Sequence, residues 1–203
     1  MNEKTLIYFA RFVSILLTPF YLPFWCLLAL FLLSYMSQLP FWYKVYVLFL
    51  VYFFTVLLPS LCIRIYQKYH GWTPFQLGQR ERRMIPYVIS IVCYYLCLYF
   101  MHTLHIPTFM SHIVLAALLI QVVCAIINVF WKISTHTAGV GGVAGGLMAF
   151  SILYAFNPIW WLSFLFILAG LVGSSRMILR QHKLSEVIAG FFVGLFCAFF
   201  VII

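Results

Sequence analysis

The chain reads as all-α, a polytopic transmembrane bundle of six to seven spanning helices, and three features of its sequence say so. Hydrophobic residues make up 66% of its 203 positions and charged residues only 7%. A water-soluble domain exposes a charged surface that commonly takes about a quarter of its residues, so here the apolar surface must meet lipid. The apolar residues also fall in long runs, each close to the ~20 residues a helix needs to cross the hydrocarbon. These runs do not alternate with polar residues, which removes a β-barrel. Lipid offers no partner for unpaired backbone, so helices remain.

Seven stretches follow one another: about 12–36, 44–66, 86–105, 109–131, 137–156, 158–180 and 184–203. Lys4 and Arg11 precede the first, which is too long for a signal-peptide core and lacks a small-residue cleavage site; it is expected to be a first span. The second leads into the longest polar connection, roughly 67–85, which carries Lys68, Arg80, Arg82 and Arg83 among Gly and Pro. His102, His105 and His112 flank the turn between the third and fourth stretches and read as headgroup-level contacts. Gln121 and Asn128, seven apart on the fourth, share a helix face and read as interhelical hydrogen bonds. Glycines crowd 139–146 at the start of the fifth, and Gly190 and Gly194 on the last repeat a four-residue spacing. Small residues so spaced let helix backbones approach closely, and the stretch lacks the Lys-Ser/Thr ending of a nucleotide-binding loop. The six cysteines all sit in apolar runs and read as buried thiols, without a disulfide or zinc framework. Residues 1–203 read as one integral membrane domain.

Net charge is +9, with Glu3, Glu81 and Glu186 as the only acids. The basic residues form no soluble face, so nucleic acid is not an expected partner; membrane lipids and an anionic substrate at the membrane surface are. Ionisable groups in or beside spans are costly and mark functional candidates. They gather in three clusters: Arg80, Arg82 and Arg83; then Lys132, Ser134 and His136; then Arg176, Arg180, His182 and Glu186. Two predicted spans separate each cluster from the next, and an even number of crossings returns the chain to the same face. All three are therefore expected to converge on one side. His182 and Glu186, four apart, are expected on one helix face, roughly 5–6 Å between Cβ atoms, where the carboxylate would fix the imidazole tautomer. Arginine forks suit phosphate oxygens. Eleven of the twelve Lys and Arg fall on the cluster-bearing side, with Lys44 opposite. Setting aside Arg80, Arg83 and Arg176 leaves eight against one, so the positive-inside rule points to a cell-membrane protein with its site on the cytoplasmic face.

At these residues the chain resembles the type 2 phosphatidic acid phosphatase superfamily, which includes glucose-6-phosphatase and the vanadium haloperoxidases. The family's third motif is Ser-Arg, five residues, His, three residues, Asp; this chain has Ser175-Arg176, five residues, His182, three residues, Glu186. The second, Pro-Ser-Gly-His, is matched by Ile133-Ser134-Thr135-His136, which keeps the Ser and the His. The first, Lys, six residues, Arg-Pro, is degenerate here, with Arg80, Arg83 and Pro86 but neither the Lys nor the adjoining Arg-Pro. The resemblance implies His182 as nucleophile forming a phosphohistidine, Glu186 orienting it, and His136 as general acid for the leaving alcohol. It implies Arg80, Arg83, Ser134 and Arg176 as the groups binding the phosphoryl oxygens, and neither metal nor cofactor. The implied substrate is a lipid phosphate such as phosphatidic acid, phosphatidylglycerol phosphate, a polyprenyl phosphate or diphosphate, or phosphorylated lipid A. Two other readings stay open. A phosphotransferase of the same fold would differ in its acceptor, and a non-catalytic transport or assembly subunit would be indifferent to loss of His182 or His136.

Overall fold

The computed structural model describes residues 3–71 and 84–203. Its α-helices are α1 (Glu3–Leu16), α2 (Leu22–Leu33), α3 (Phe41–Tyr52), α4 (Leu58–His70), α5 (Met84–Thr103), α6 (Thr108–Phe130), α7 (Thr135–Leu153), α8 (Ile159–Ile178) and α9 (Leu184–Ile202). Among the described residues six helices are long and apolar enough to cross a membrane: Phe41–His70, which joins α3 to α4, and then α5 to α9. The protein is an all-α polytopic bundle.

The joint between α3 and α4 is a π-helical turn, Phe53–Leu57, where the Leu58 N–H reaches back to the Phe53 carbonyl. Pro59 follows directly, and its missing N–H breaks the ordinary α ladder at this level.

The first expected span is not one helix. The stretch 12–36 divides at residues 17–21 into the end of α1 and the start of α2. The Thr18 hydroxyl donates to the carbonyls of Ser14 at 3.1 Å and Ile15 at 2.8 Å, closing α1. Pro19 has no N–H to continue the ladder, and Pro23 suits the first turn of α2. With 14 and 12 residues, the two helices reach about 21 and 18 Å, short of the ~30 Å of hydrocarbon.

The chain forms two compact units, Phe20–Leu118 and Met1–Pro19 with Leu119–Ile203. In the first, α4 packs on α5 and α2 on α3, around buried side chains that include Val47, Val51, Tyr94 and Cys97. In the second, α7 and α9 form the most intimate pair, α8 packs on α7, and α1 packs on α8. Glycine explains the first of these contacts. A Cβ on Gly141 or Gly145 would strike the backbone of Phe191 or Leu195, and one on Gly194 would strike the backbone of Ala138. The two backbones touch, and dispersion replaces the hydrophobic drive that lipid removes. On α1, Ala10, Val13 and Ser14 are buried, a stripe at the i, i+3, i+4 spacing of one helix face.

Three helices end in the same turn. His105 after α5, Ala155 after α7 and Arg180 after α8 all have positive φ, at 52°, 49° and 52°. In each, the following N–H bonds back five residues: Ile106 to Met101, Phe156 to Ser151, and Gln181 to Arg176. This is the Schellman closure, here built without its usual glycine.

Candidate active site

The spacing between Arg176 and His182 has a structural cause. Arg176 lies in the last turn of α8. The Arg180 N–H donates to the Met177 carbonyl at 2.9 Å and the Gln181 N–H to the Arg176 carbonyl at 3.1 Å, turning the chain back on itself. His182 leaves that turn one residue before Lys183, the N-cap of α9, and Glu186 occupies the first turn of that helix. His182 is thus outside the helix rather than on its face, and the contact with Glu186 is made by the helix entry. Nδ1 of His182 and Oε2 of Glu186 are 2.6 Å apart. The same oxygen accepts from the Lys183 N–H at 3.4 Å. With the carboxylate as acceptor, Nδ1 carries the proton and Nε2 keeps its lone pair. His182, Glu186 and Arg176 are each only 7% exposed, so these polar groups are held inside the protein rather than at a solvated helix end.

The second cluster meets the third through the backbone. The Ser134 N–H donates to the Glu186 carbonyl at 3.3 Å, bringing the start of α7 against the start of α9. The close approach needs Gly190, where a Cβ would lie 2.5 Å from the Ser134 carbonyl oxygen and 2.6 Å from the Thr137 hydroxyl. Ser134 is the N-cap of α7, yet its hydroxyl makes no capping bond. Its Oγ is fully buried and has no hydrogen-bond partner among the described residues. An N-cap serine ordinarily satisfies a helix N–H; this one is left for another acceptor or donor. His136, two residues further on, is half-buried with its Nδ1 shut away from solvent. Two helix N-termini lie side by side here, and the positive ends of their dipoles favour an anion. Lys132 stands half-buried just before α7.

Arg176 makes a contact that sequence reasoning missed. Its Nη1 donates to the hydroxyl of Ser14 on α1 at 2.6 Å, across 162 residues of chain. Within its apolar stretch Ser14 carries no motif, and only the packing of α1 on α8 reveals its partner.

The structure therefore brings Ser134 and the His182–Glu186 pair to one junction, with His136 in the adjoining first turn and Arg176 at the far side of the α8–α9 turn. Arg80, Arg82 and Arg83 lie outside the described residues. Gln121 and Asn128 are buried, and the cysteines are free thiols, with Cys93, Cys97 and Cys124 buried. Among the described residues no three His, Cys, Asp or Glu side chains converge in a metal-binding group. Comparison with protein-family models, with curated proteins and with solved structures finds no match to this chain.

Proposed function

We propose that this protein hydrolyses a phosphate ester on a membrane lipid, through a phosphohistidine on His182. The observation that carries the reading is the buried His182–Glu186 pair, 2.6 Å apart, at the junction of two helix N-termini. Glu186 accepts from the Nδ1 proton, which leaves the Nε2 lone pair as the one that would attack phosphorus. The N–P bond forms as the bond to the lipid oxygen breaks, and His136 gives its proton to the departing alkoxide. Water then attacks the phosphohistidine, with His136 taking a proton back, and phosphate leaves. The Arg176 guanidinium, the Ser134 hydroxyl and the helix N-terminal amides would meet the charge on the phosphoryl oxygens, where positioned charge does most of the work of phosphoryl transfer. Arg80 and Arg83 would complete that set.

The charge around α7 to α9 supports a cytoplasmic site. Lys132, Arg176, Arg180 and Lys183 flank the site end of these helices, while the connection from α7 to α8, residues 154–158, has no Lys or Arg. A site beside spanning helices suits a substrate whose acyl or prenyl tail stays in lipid, such as phosphatidic acid, phosphatidylglycerol phosphate, a polyprenyl phosphate or diphosphate, or lipid A.

The test is phosphate release by the purified protein in detergent or vesicles from a panel of these lipids, beside His182→Ala. Turnover of at least one lipid by the wild type, lost in the variant, is expected. No turnover of any lipid, or an equally active variant, ends the proposal. Added alcohols in the same assay would expose transfer in place of hydrolysis.

A further inference from the structure

We infer that Ser14, on the N-terminal helix α1, is a positioning residue that aims the phosphate-binding arginine, Arg176, and this rests on the phosphate-ester reading above. The observation is the 2.6 Å hydrogen bond from Arg176 Nη1 to the Ser14 hydroxyl, between two residues that are 7% and 5% exposed.

Packing alone does not account for a serine at this position. The buried face of α1 is otherwise Ala10 and Val13, and it lies against α8, an apolar helix. An alanine at position 14 would fill such a seam without bringing a hydroxyl that has to be desolvated. The serine instead meets the one cationic side chain of α8. Its chemistry fits an aiming role. A carboxylate at position 14 would hold the guanidinium more tightly but would compete with a phosphoryl group for its charge. A hydroxyl accepts one N–H and restricts the long side chain to a few rotamers without itself neutralising the positive charge. A guanidinium has five N–H donors in a planar fork, so a bond at Nη1 constrains the plane and direction of the rest of the fork. The end of α1 is itself fixed: the Thr18 hydroxyl donates to the Ser14 carbonyl at 3.1 Å, directly before Pro19. Helix α1 is then a working part of the site.

The experiment measures binding of orthovanadate, a phosphoryl-transfer analogue, to the full-length protein in detergent by titration calorimetry, with melting temperatures recorded alongside. Four variants are compared with the wild type: Arg176→Ala, Ser14→Ala, Ser14→Thr, and Ser14→Ala with Arg176→Ala. Arg176→Ala is expected to weaken binding about 100-fold and Ser14→Ala about tenfold, the scale of one hydrogen bond to a charged group. Ser14→Thr, which restores the hydroxyl, is expected to bind within about threefold of the wild type. In the Arg176→Ala background, Ser14→Ala is expected to add less than about twofold, because its effect passes through the guanidinium. Ser14→Ala binding as tightly as wild type, while Arg176→Ala is weakened, overturns the positioning role and leaves the phosphate site standing. An equal loss from Ser14→Ala in both backgrounds also overturns it, since the serine would then act only through helix packing. A wild type that binds no orthovanadate, or an Arg176→Ala variant that binds it unchanged, overturns the phosphate site and this inference with it.

Discussion

Two helix ends in this molecule close with the same turn and deliver opposite environments. After α5 the chain passes through His105 at φ 52°, and after α8 it passes through Arg180 at φ 52°, each with the paired back-bonds of a Schellman closure. At the first, the residues that bond across the turn are Met101 and Ile106, both buried, which is the apolar contact that usually accompanies the motif. The histidines there, His102 and His105, are exposed. At the second, the bonded residues are Arg176 and Gln181, and the next residue is His182, buried and bound to Glu186. The backbone device is common property; the chemistry depends on what the turn hands on. One turn seals an apolar end, whereas the other carries a histidine to a carboxylate at a helix start. Imidazole near a membrane surface is therefore uninformative by itself, and burial beside an acid is what separates the two sets.

The comparison can be broken at four points. The largest effect is expected from His182→Ala, a fall of at least about 10³-fold in lipid phosphate turnover, against less than about twofold for His102→Ala; phosphate release assays on both decide it, and equal losses would erase the distinction. Next, Glu186→Gln keeps the size of the side chain but removes the charge that steadies imidazolium, and turnover is expected to fall about 10²-fold with little change in melting temperature. Ser134→Ala removes a buried hydroxyl with no partner among the described residues, so it is expected to cost turnover about tenfold while leaving stability unchanged or slightly raised; a marked drop in melting temperature would mean the hydroxyl is structural. Smallest are Arg180→Gly and His105→Gly. A non-glycine residue at positive φ costs roughly 1–2 kcal/mol, and glycine gives back part of the gain through a looser unfolded chain. Each is expected to stabilise the protein by about 0.5 kcal/mol, read as a small rise in melting temperature, and a fall would refute the strain.

Much of this was legible in the sequence because membrane proteins write their constraints in composition. The later span limits and the close packing of the glycine stripe both match the helices observed. The i, i+4 pairing of His182 with Glu186 was also readable from their spacing, although the acid also serves the helix start by accepting from the Lys183 N–H. The first stretch misled because hydropathy averages over a window, and the apolar residues of 12–36 outweigh the break made by Thr18 and Pro19. The closing turn at Arg180 was hidden for a related reason: without glycine, nothing in the local sequence marks a left-handed residue. Ser14 was beyond reach altogether. A serine in an apolar run has no signature, and its partner lies 162 residues away, a relation that only tertiary packing creates.

The contact between α7 and α9 has a consequence for how this protein can vary. With the backbones touching at Gly141, Gly145 and Gly194, neither helix can slide or rotate against the other without collision. Inserting or deleting one residue between Ser134 and Gly141, or between Glu186 and Gly194, would swing one end by about 100° relative to the locked segment, the angle that 3.6 residues per turn assigns to each residue. Point changes at the mouth of the site are compatible with this clamp, and length changes are not. Diversification of the site would therefore have to proceed by replacing side chains within a fixed count.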